Sequence, residues 1–510
     1  MERARVGLAM GIAALVAVGG VAAATGRIDG AHAEARTLVV GYRTPADLAA
    51  ALRGTGGVVV RRLPALRAAE VRTREAAPAL RRAPGIRSVS APVARRAAAE
   101  PALAPTAASP DAPLEWQYAG ADETGVPDSV LRAASSVRIA VVDTGADLTA
   151  PDLATKSPTA YNTRTGTGDV RDDNGHGTFV ASIAAGSVTN GEGIAGFGGD
   201  AQLLVVKAGS ADGTFTDVDE AAGIIYAIDH GARIVNLSFG GPGTTPIERH
   251  AIQYAIDHGA LVVAAAGNEY SQGNPVEYPA ALLQPVGSDG AGGAGLSVGA
   301  SNQAAARARF SNTGSWISLT APGTNVFGDV SSLSSPVAYP RAALPGSSAG
   351  LYGYASGTSF AAPQVAGAAA LVWAANPALT AQQVAQILKQ TASGRGRWTP
   401  DLGFGVVDVA AAVATAQSGQ AGVLLSGNRV RSKLHLTWSG DASRYTLTLT
   451  SAGSSRTVLS ATSNTSAWVT LKPGRAYAFT VAAIDQSGAT AATSAPLTVA
   501  VPNRRQTAGK

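Results

Sequence analysis

Four short segments of this chain hold side chains that could share one chemical task. Val137-Arg-Ile-Ala-Val-Val-Asp143 ends an apolar run on a carboxylate, the place where open α/β sheets bind ligands. Asp172-Asp-Asn-Gly-His176-Gly-Thr sets an imidazole between two glycines at the start of an apolar helix. Ser356-Gly-Thr-Ser359-Phe-Ala-Ala-Pro363 puts a hydroxyl at the head of a small-residue helix running to about Ala375, where free amides and the helix dipole favour negative charge. Leu261-Val-Val-Ala-Ala-Ala-Gly-Asn268 carries an amide just past an apolar strand. A serine hydroxyl is nearly inert at its ordinary pKa, so it needs a base within reach, and that base needs a carboxylate to hold its tautomer. The oxyanion formed by attack needs a donor. Asp143, His176, Ser359 and Asn268 are of the right types for these tasks. Singly each has an ordinary explanation, as a turn or capping Asp, a surface-loop His or an N-cap Ser. The Asp143, His176 and Ser359 segments, all three on the β-to-α junctions of one sheet, point together to nucleophilic acyl transfer.

The elements that must position them are legible as pattern. Between residues 137 and 415, apolar strands such as Gln202 to Lys207, Ile234 to Leu237 and Leu261 to Ala265 alternate with helical stretches such as Phe179 to Ala185, Val218 to His230 and Glu248 to His258. Strands that are apolar on both faces and alternate with helices predict an α/β fold, a parallel sheet covered on both sides. Ahead of it, Thr37 to Gly41, Val58 to Val60 and Ile86 to Val93 read as strands, with Pro45 to Leu52 and Glu75 to Arg82 as helices, a small α+β unit. Residues 97–113 are Ala/Pro/Ser-rich and read as a linker. After Ser418 only short alternating strands follow (Leu434 to Trp438, Arg444 to Leu449, Ala467 to Leu471, Tyr477 to Val481), the pattern of a β-sandwich.

Length and composition set the outer bounds. At 510 residues the chain predicts several domains. Hydrophobic residues at 46% and charged residues at 15% exclude a disordered chain, and the absence of Cys excludes a disulfide scaffold, a thiolate zinc site and a Cys nucleophile. Arg3 and Arg5 before the uncharged run Val6 to Ala24, with Ala31-His-Ala33 as a small-x-small cleavage site, read as a signal peptide over 1–33. An uncleaved anchor is the alternative; with cleavage the product is extracellular and holds no stable membrane insertion. The net charge of +5 conceals an uneven distribution. Residues 36–96 hold 13 Arg against three acids, a charge of +10, residues 97–417 carry −13, and residues 418–510 carry +8. That favours an internal electrostatic partnership over a polyanion such as nucleic acid.

The segments VVDTG, NGHGTFVAS, VVAAAGNE and SGTSFAAPQVAG, in that order, resemble those of a subtilisin-like serine protease, or subtilase. The resemblance covers residues 137–415 and implies a catalytic domain over 114–417. It implies that Asp143 orients, His176 is general base and acid, Ser359 is nucleophile, and Asn268 with the Ser359 amide forms the oxyanion hole. It also implies that polypeptide substrates lie along Ser238, Phe239 and Gly240 of the NLSFGG segment, beside Ala265 and Gly267. Phe179 stands where many members have a second His, and Ser182 where Gly is usual on that helix. Glu277, just before Tyr278-Pro279, falls at the implied primary-pocket floor; a carboxylate there favours Arg or Lys at P1, and Arg95-Arg96 offers a matching maturation site. The alternative is a Glu277 that faces solvent.

Residues 34–96 resemble the family's inhibitor-like propeptide, an intramolecular partner in which the +10 charge of residues 36–96 suits a −13 body. Residues 418–510 resemble a fibronectin type III module, with Trp438 in an early strand and Tyr477 as its corner tyrosine. The +8 charge of this module makes an anionic cell-wall or matrix polymer a candidate partner. The family also implies a structural calcium site at Asp152, completed by Val188, Asn190 and Ile194; an Asn190-Gly191 turn is the alternative. The sequence thus predicts a secreted endopeptidase with no catalytic cofactor. A catalytically silent adhesion protein is the competing class, and a sedolisin-like acid peptidase is opposed by His176 and Asn268.

Overall fold

The computed structural model describes residues 35–97, 115–190, 193–336, 338–342, 351–418, 423–430, 432–440, 442–494 and 496–501. The expected signal peptide and nearly all of the expected linker lie outside the described residues. At the N-terminus, β1 (Arg36–Tyr42), β2 (Val58–Leu63), β3 (Ala68–Thr73) and β4 (Ile86–Ser90) form an antiparallel sheet in the order β2-β3-β1-β4. Helices α1 (Pro45–Leu52) and α2 (Ala77–Arg82) cover it, burying Leu48 and Leu80 against Leu38, Val40, Val71 and Val89. Two details correct the sequence reading. Strand β3, Ala-Ala-Glu-Val-Arg-Thr, has too few β-branched residues to announce itself. The strand expected to reach Val93 stops at Ser90, ahead of Pro92, which has no N–H for a ladder.

The catalytic-type domain is built on seven strands: β6 (Arg138–Asp143), β7 (Thr159–Asn162), β8 (Gln202–Lys207), β10 (Ile234–Leu237), β12 (Leu261–Ala265), β14 (Leu296–Ser301) and β15 (Leu319–Pro322). Their order is β15-β14-β12-β10-β6-β8-β7, and all neighbours are parallel. The helices of this part are α3 (Trp116–Gly120), α4 (Asp128–Ala133), α5 (His176–Ala185), α6 (Asp217–Asp229), α7 (Pro246–Asp257), α8 (Ala280–Leu283), α9 (Thr358–Ala375), α10 (Ala381–Thr391) and α11 (Val409–Gln417). Strand side chains alternate between faces. Ile139 and Val141 of β6 join one core with α5 and α9, while Ala140 and Val142 join a second core with α6 and α7. That is why the strands read as continuous apolar runs.

A second, antiparallel sheet sits beside the first, in the order β13-β11-β5-β9, from β5 (Ala94–Ala97), β9 (Thr214–Thr216), β11 (Phe239–Pro242) and β13 (Glu277–Tyr278). Strand β5 belongs in sequence to the N-terminal unit, yet it is an inner strand here. Beyond α11, Leu424–Val430, Lys433–Ser439 and Ser466–Thr470 form one antiparallel sheet, and Arg444–Ser451, Ser454–Thr462, Arg475–Ile484, Thr490–Thr493 and Leu497–Val501 form another. Leu436, Trp438, Leu447, Phe479 and Val481 share one core with them. No helix among the described residues is long and apolar enough to cross a membrane.

Candidate active site

Asp143 is the last residue of β6 and His176 the first of α5; Asp143 Oδ1 lies 2.7 Å from His176 Nδ1, with both side chains buried. Asp172 holds this geometry. One of its carboxylate oxygens accepts from Gly175 N and Thr144 Oγ1 at 2.8 Å, and the other accepts from Thr178 N and Thr178 Oγ1. Thr144 Oγ1 in turn accepts from Gly177 N at 2.8 Å, tying the loop after Asp143 to the helix that begins at His176. Gly177 is obligatory here, because a Cβ would collide with the Gly145 carbonyl. The sequence reading included Asp172 in its motif without a role; an Asp four residues before the His, ahead of a helix, was the available signal.

Ser359 stands in the first turn of α9, a helix buried along most of its length. Its Oγ donates to the Ser238 carbonyl at 2.8 Å, and Ser238 Oγ donates back to the Ser359 carbonyl at 2.8 Å. The next residue, Phe360, packs on the imidazole with ring centroids 5.6 Å apart. Asn268 lies just past β12. Its Oδ1 accepts from Thr358 N at 2.9 Å and Thr358 Oγ1 at 3.0 Å, which fixes the amide and leaves the buried Nδ2 without a hydrogen-bond partner among the described residues. A pinned amide with a spare donor, beside the head of the serine's helix, is the arrangement a developing oxyanion requires.

The expected substrate-binding residues come together. Phe239, Gly240, Ala265, Gly267 and Glu277 line one pocket of about 380 Å³, with Ala97 of β5. Glu277 is 5% exposed, and a Cβ on Gly240 or Gly267 would meet its side chain, so the solvent-facing alternative does not hold. Burial, reinforced by the nearby Glu269 charge, pushes the Glu277 carboxyl up to about 7. The maturation site expected at Arg95-Arg96 does not match the register. Arg96 pairs with Gly240 and Ala97 with Phe239, so neither arginine lies opposite Ser238.

The departures at Phe179 and Ser182 are absorbed. Phe179 packs edge-on against Phe360 at 4.7 Å, and Ser182 Oγ accepts from Asp329 N at 3.1 Å. At the expected calcium site, Asp152 accepts from Asn190 Nδ2 at 2.7 Å and Ile194 N at 2.9 Å, and its own N–H donates to Asp329 at 3.2 Å. N–H donors thus turn toward the carboxylate where a cation needs acceptor oxygens, and burial beside Asp152 pushes the Asp329 carboxyl well up. As arranged, the Asp152 carboxylate, the Asn190 Nδ2 and the Ile194 N–H do not fit a calcium ion. Among the described residues no group of three or more His, Asp or Glu could hold a metal.

A buried carboxylate–imidazole pair, a serine heading a buried helix and a spare amide donor, with Asp143 and Asn268 at the carboxyl ends of parallel strands, have the layout of a serine hydrolase on an α/β scaffold. The particular family follows from sequence comparison. The Subtilase family model matches residues 134–407, and the chain belongs to that family. The fervidolysin N-terminal prodomain model matches residues 22–91. Among curated relatives, Subtilisin BL from Lederbergia lenta is 36% identical over 278 residues, covering 54% of this chain and 91% of that protein. The thermophilic serine proteinase of Bacillus sp. (strain AK1) is 36% identical over 272 residues, covering 53% of this chain. The chain spans 60% of that proteinase's length, less than two thirds. In fold, the structure is similar to fervidolysin from Fervidobacterium pennivorans, described as a keratinolytic enzyme related to subtilisin, with a TM-score of 0.61 and 22% identity over 93% of this chain and 77% of that one.

Proposed function

We propose that this chain is a secreted endopeptidase that hydrolyses peptide bonds through an acyl-enzyme and matures by removing its own prosegment. The observation that carries the reading is the 2.7 Å Asp143–His176 contact combined with the spare Asn268 Nδ2 beside the helix of Ser359. For attack, Ser359 Oγ exchanges its hydrogen bond to the Ser238 carbonyl for one to the His176 imidazole. His176 takes the hydroxyl proton as Oγ bonds to the scissile carbonyl carbon, and Asp143 stabilises the imidazolium. Asn268 Nδ2 and the Ser359 amide donate to the oxyanion. The C–N bond breaks as His176 returns the proton to the leaving amine. A water, deprotonated by the same imidazole, then releases the acyl group.

Self-maturation is supported by the N-terminal unit, whose trailing strand β5 occupies the groove between β9 and β11. Its charge is used at the head of α6: Arg61 Nη1 donates to Asp219 at 2.8 Å, and Asp217 Oδ1 accepts from Val93 N at 3.0 Å. A preference for Arg or Lys at P1 is supported by Glu277 in the pocket wall. Secretion rests on the N-terminal sequence. The fibronectin type III-like reading of residues 418–510 is supported by Tyr477, whose hydroxyl accepts from Lys472 N at 2.9 Å, the bond of a tyrosine corner. Binding of this module to an anionic polymer rests on its +8 charge alone. A structural calcium is a separate proposal that the donor set around Asp152 disfavours.

Labelling with a fluorophosphonate probe tests the central reading. The matured protein should carry the adduct on the Ser359 peptide and lose it in His176→Ala; a catalytically silent binding protein would stay unlabelled.

A further inference from the structure

Arg95 is fully buried. Its Nε and Nη2 donate to Glu248 Oε1 at 3.1 and 2.7 Å, Nη2 also donates to the Gly243 carbonyl at 3.0 Å, and Nε lies 3.7 Å from Glu220 Oε2. Both glutamates are themselves fully buried, in the first turns of α6 and α7, helices belonging to the catalytic-type domain and not to the prosegment. Two buried carboxylates side by side are costly without a cation between them. The two carboxylates are supplied by α6 and α7 of the domain, whereas the arginine between them is supplied by β5.

The register of β5 says which substrate position the pocket serves. β5 is an inner antiparallel strand, with Ala94, Arg95 and Arg96 opposite Thr216, Phe215 and Thr214 of β9, and Arg96 and Ala97 opposite Gly240 and Phe239 of β11. Ser359 Oγ reaches the carbonyl of Ser238, the residue before β11. A substrate strand in this register therefore offers its scissile carbonyl from the residue opposite Ser238, which defines P1. The residue opposite Phe239 is P2, that opposite Gly240 is P3, and the one at the position of Arg95 is P4. Gly241 lets that side chain pass, since a Cβ there would sit 3.1 Å from the Ala94 carbonyl and 3.3 Å from Arg95 Nη1.

We propose that Glu220 and Glu248 form a P4 subsite that selects arginine in polypeptide substrates, separate from the Glu277 pocket at P1. The inference rests on the endopeptidase reading and specifies its substrate class. The guanidinium fork satisfies Glu248 and the Gly243 carbonyl together, a geometry a lysine ammonium cannot reproduce, so Arg exceeds Lys. Applied to the chain itself, the register sets the self-cleavage bond after residue 98, between Ala98 and Ala99 in the sequence, with Arg95 at P4.

The test is a panel of peptides X-Ala-Ala-Arg-p-nitroanilide, with the basic P1 residue the Glu277 pocket favours and X being Arg, Lys, Ala or Glu, given to the matured wild-type protein. The expected result is a kcat/KM for Arg about 10- to 100-fold above Ala, the size expected for a buried, hydrogen-bonded charge pair. In Glu248→Gln, matured in trans by wild-type enzyme if necessary, the Arg-to-Ala ratio should fall by about tenfold or more. Hydrolysis in which Arg and Ala differ by less than about twofold overturns the P4 subsite alone. Absence of hydrolysis across the whole panel overturns the endopeptidase reading and the subsite with it. N-terminal sequencing of the freshly matured protein should begin at Ala99, and a first cut directly after Arg95 or Arg96 contradicts the register.

Discussion

Replacing Asn268 with Ala isolates the oxyanion contribution. The side chain is anchored through Oδ1 to Thr358 N and Oγ1, at 2.9 and 3.0 Å, while Nδ2 has no partner among the described residues. The donor therefore costs no reorganisation when negative charge develops, and its removal should lower kcat by about 10²–10³, equivalent to about 2.7–4 kcal/mol of transition-state stabilisation. KM should stay within about threefold, because the bond forms only as the carbonyl becomes tetrahedral. The same substitution strips Thr358 N–H of its acceptor, at a cost of about 1–3 kcal/mol in stability, so thermal unfolding must be followed alongside. The assay is steady-state hydrolysis of a p-nitroanilide peptide, with the active-site concentration taken from the acyl-enzyme burst. A fully titrating Asn268→Ala enzyme whose kcat falls less than about tenfold, or whose loss lies entirely in KM, would refute the oxyanion assignment.

Other expectations follow from the same geometry. Glu277→Gly should reduce the P1 Arg-to-Leu ratio of kcat/KM by about tenfold or more, measured on peptides that differ only at P1. In the wild type that ratio should rise with pH through about 7, because the Glu277 carboxyl is raised to that value and is neutral below it. A flat ratio between pH 6 and pH 8.5, assuming an ordinary carboxylate titration centred near 7, contradicts a pocket-facing carboxylate. Truncation after Gln417, the last residue of α11, should preserve hydrolysis of small peptides, since every proposed catalytic group precedes it. Chelation by EDTA should leave the melting temperature unchanged, because the oxygens of Asp152 accept from N–H groups; a fall of several degrees reversed by calcium would restore the calcium proposal.

The sequence made the parallel sheet legible for a physical reason. Strands buried on both faces must be apolar throughout, so β6, β8, β10 and β12 stood out with boundaries close to those found. The residues at their carboxyl ends, Asp143, Ser238 and Asn268, could then be placed by position alone. What stayed hidden depends on distant pairing. Ala94–Ala97 reads Ala-Arg-Arg-Ala, with no strand pattern, and is extended because β9 and β11 supply its partners. Glu220 and Glu248 resemble ordinary acids in the first turn of a helix, where the dipole favours them. Only the fold reveals that they converge on an arginine 153 residues upstream of Glu248. Glu277 was suspected from its neighbour Tyr278, but its direction depended on how Gly240 and Gly267 open space for it.

The most direct test of the account follows the mass of the purified chain and of its Ser359→Ala form over time, prepared in parallel without other proteases. Wild type should shed its prosegment, whereas Ser359→Ala should keep it and be trimmed only when a trace of wild type is added. A Ser359→Ala chain that loses its prosegment at the wild-type rate on its own would contradict the claim that Ser359 forms the acyl-enzyme.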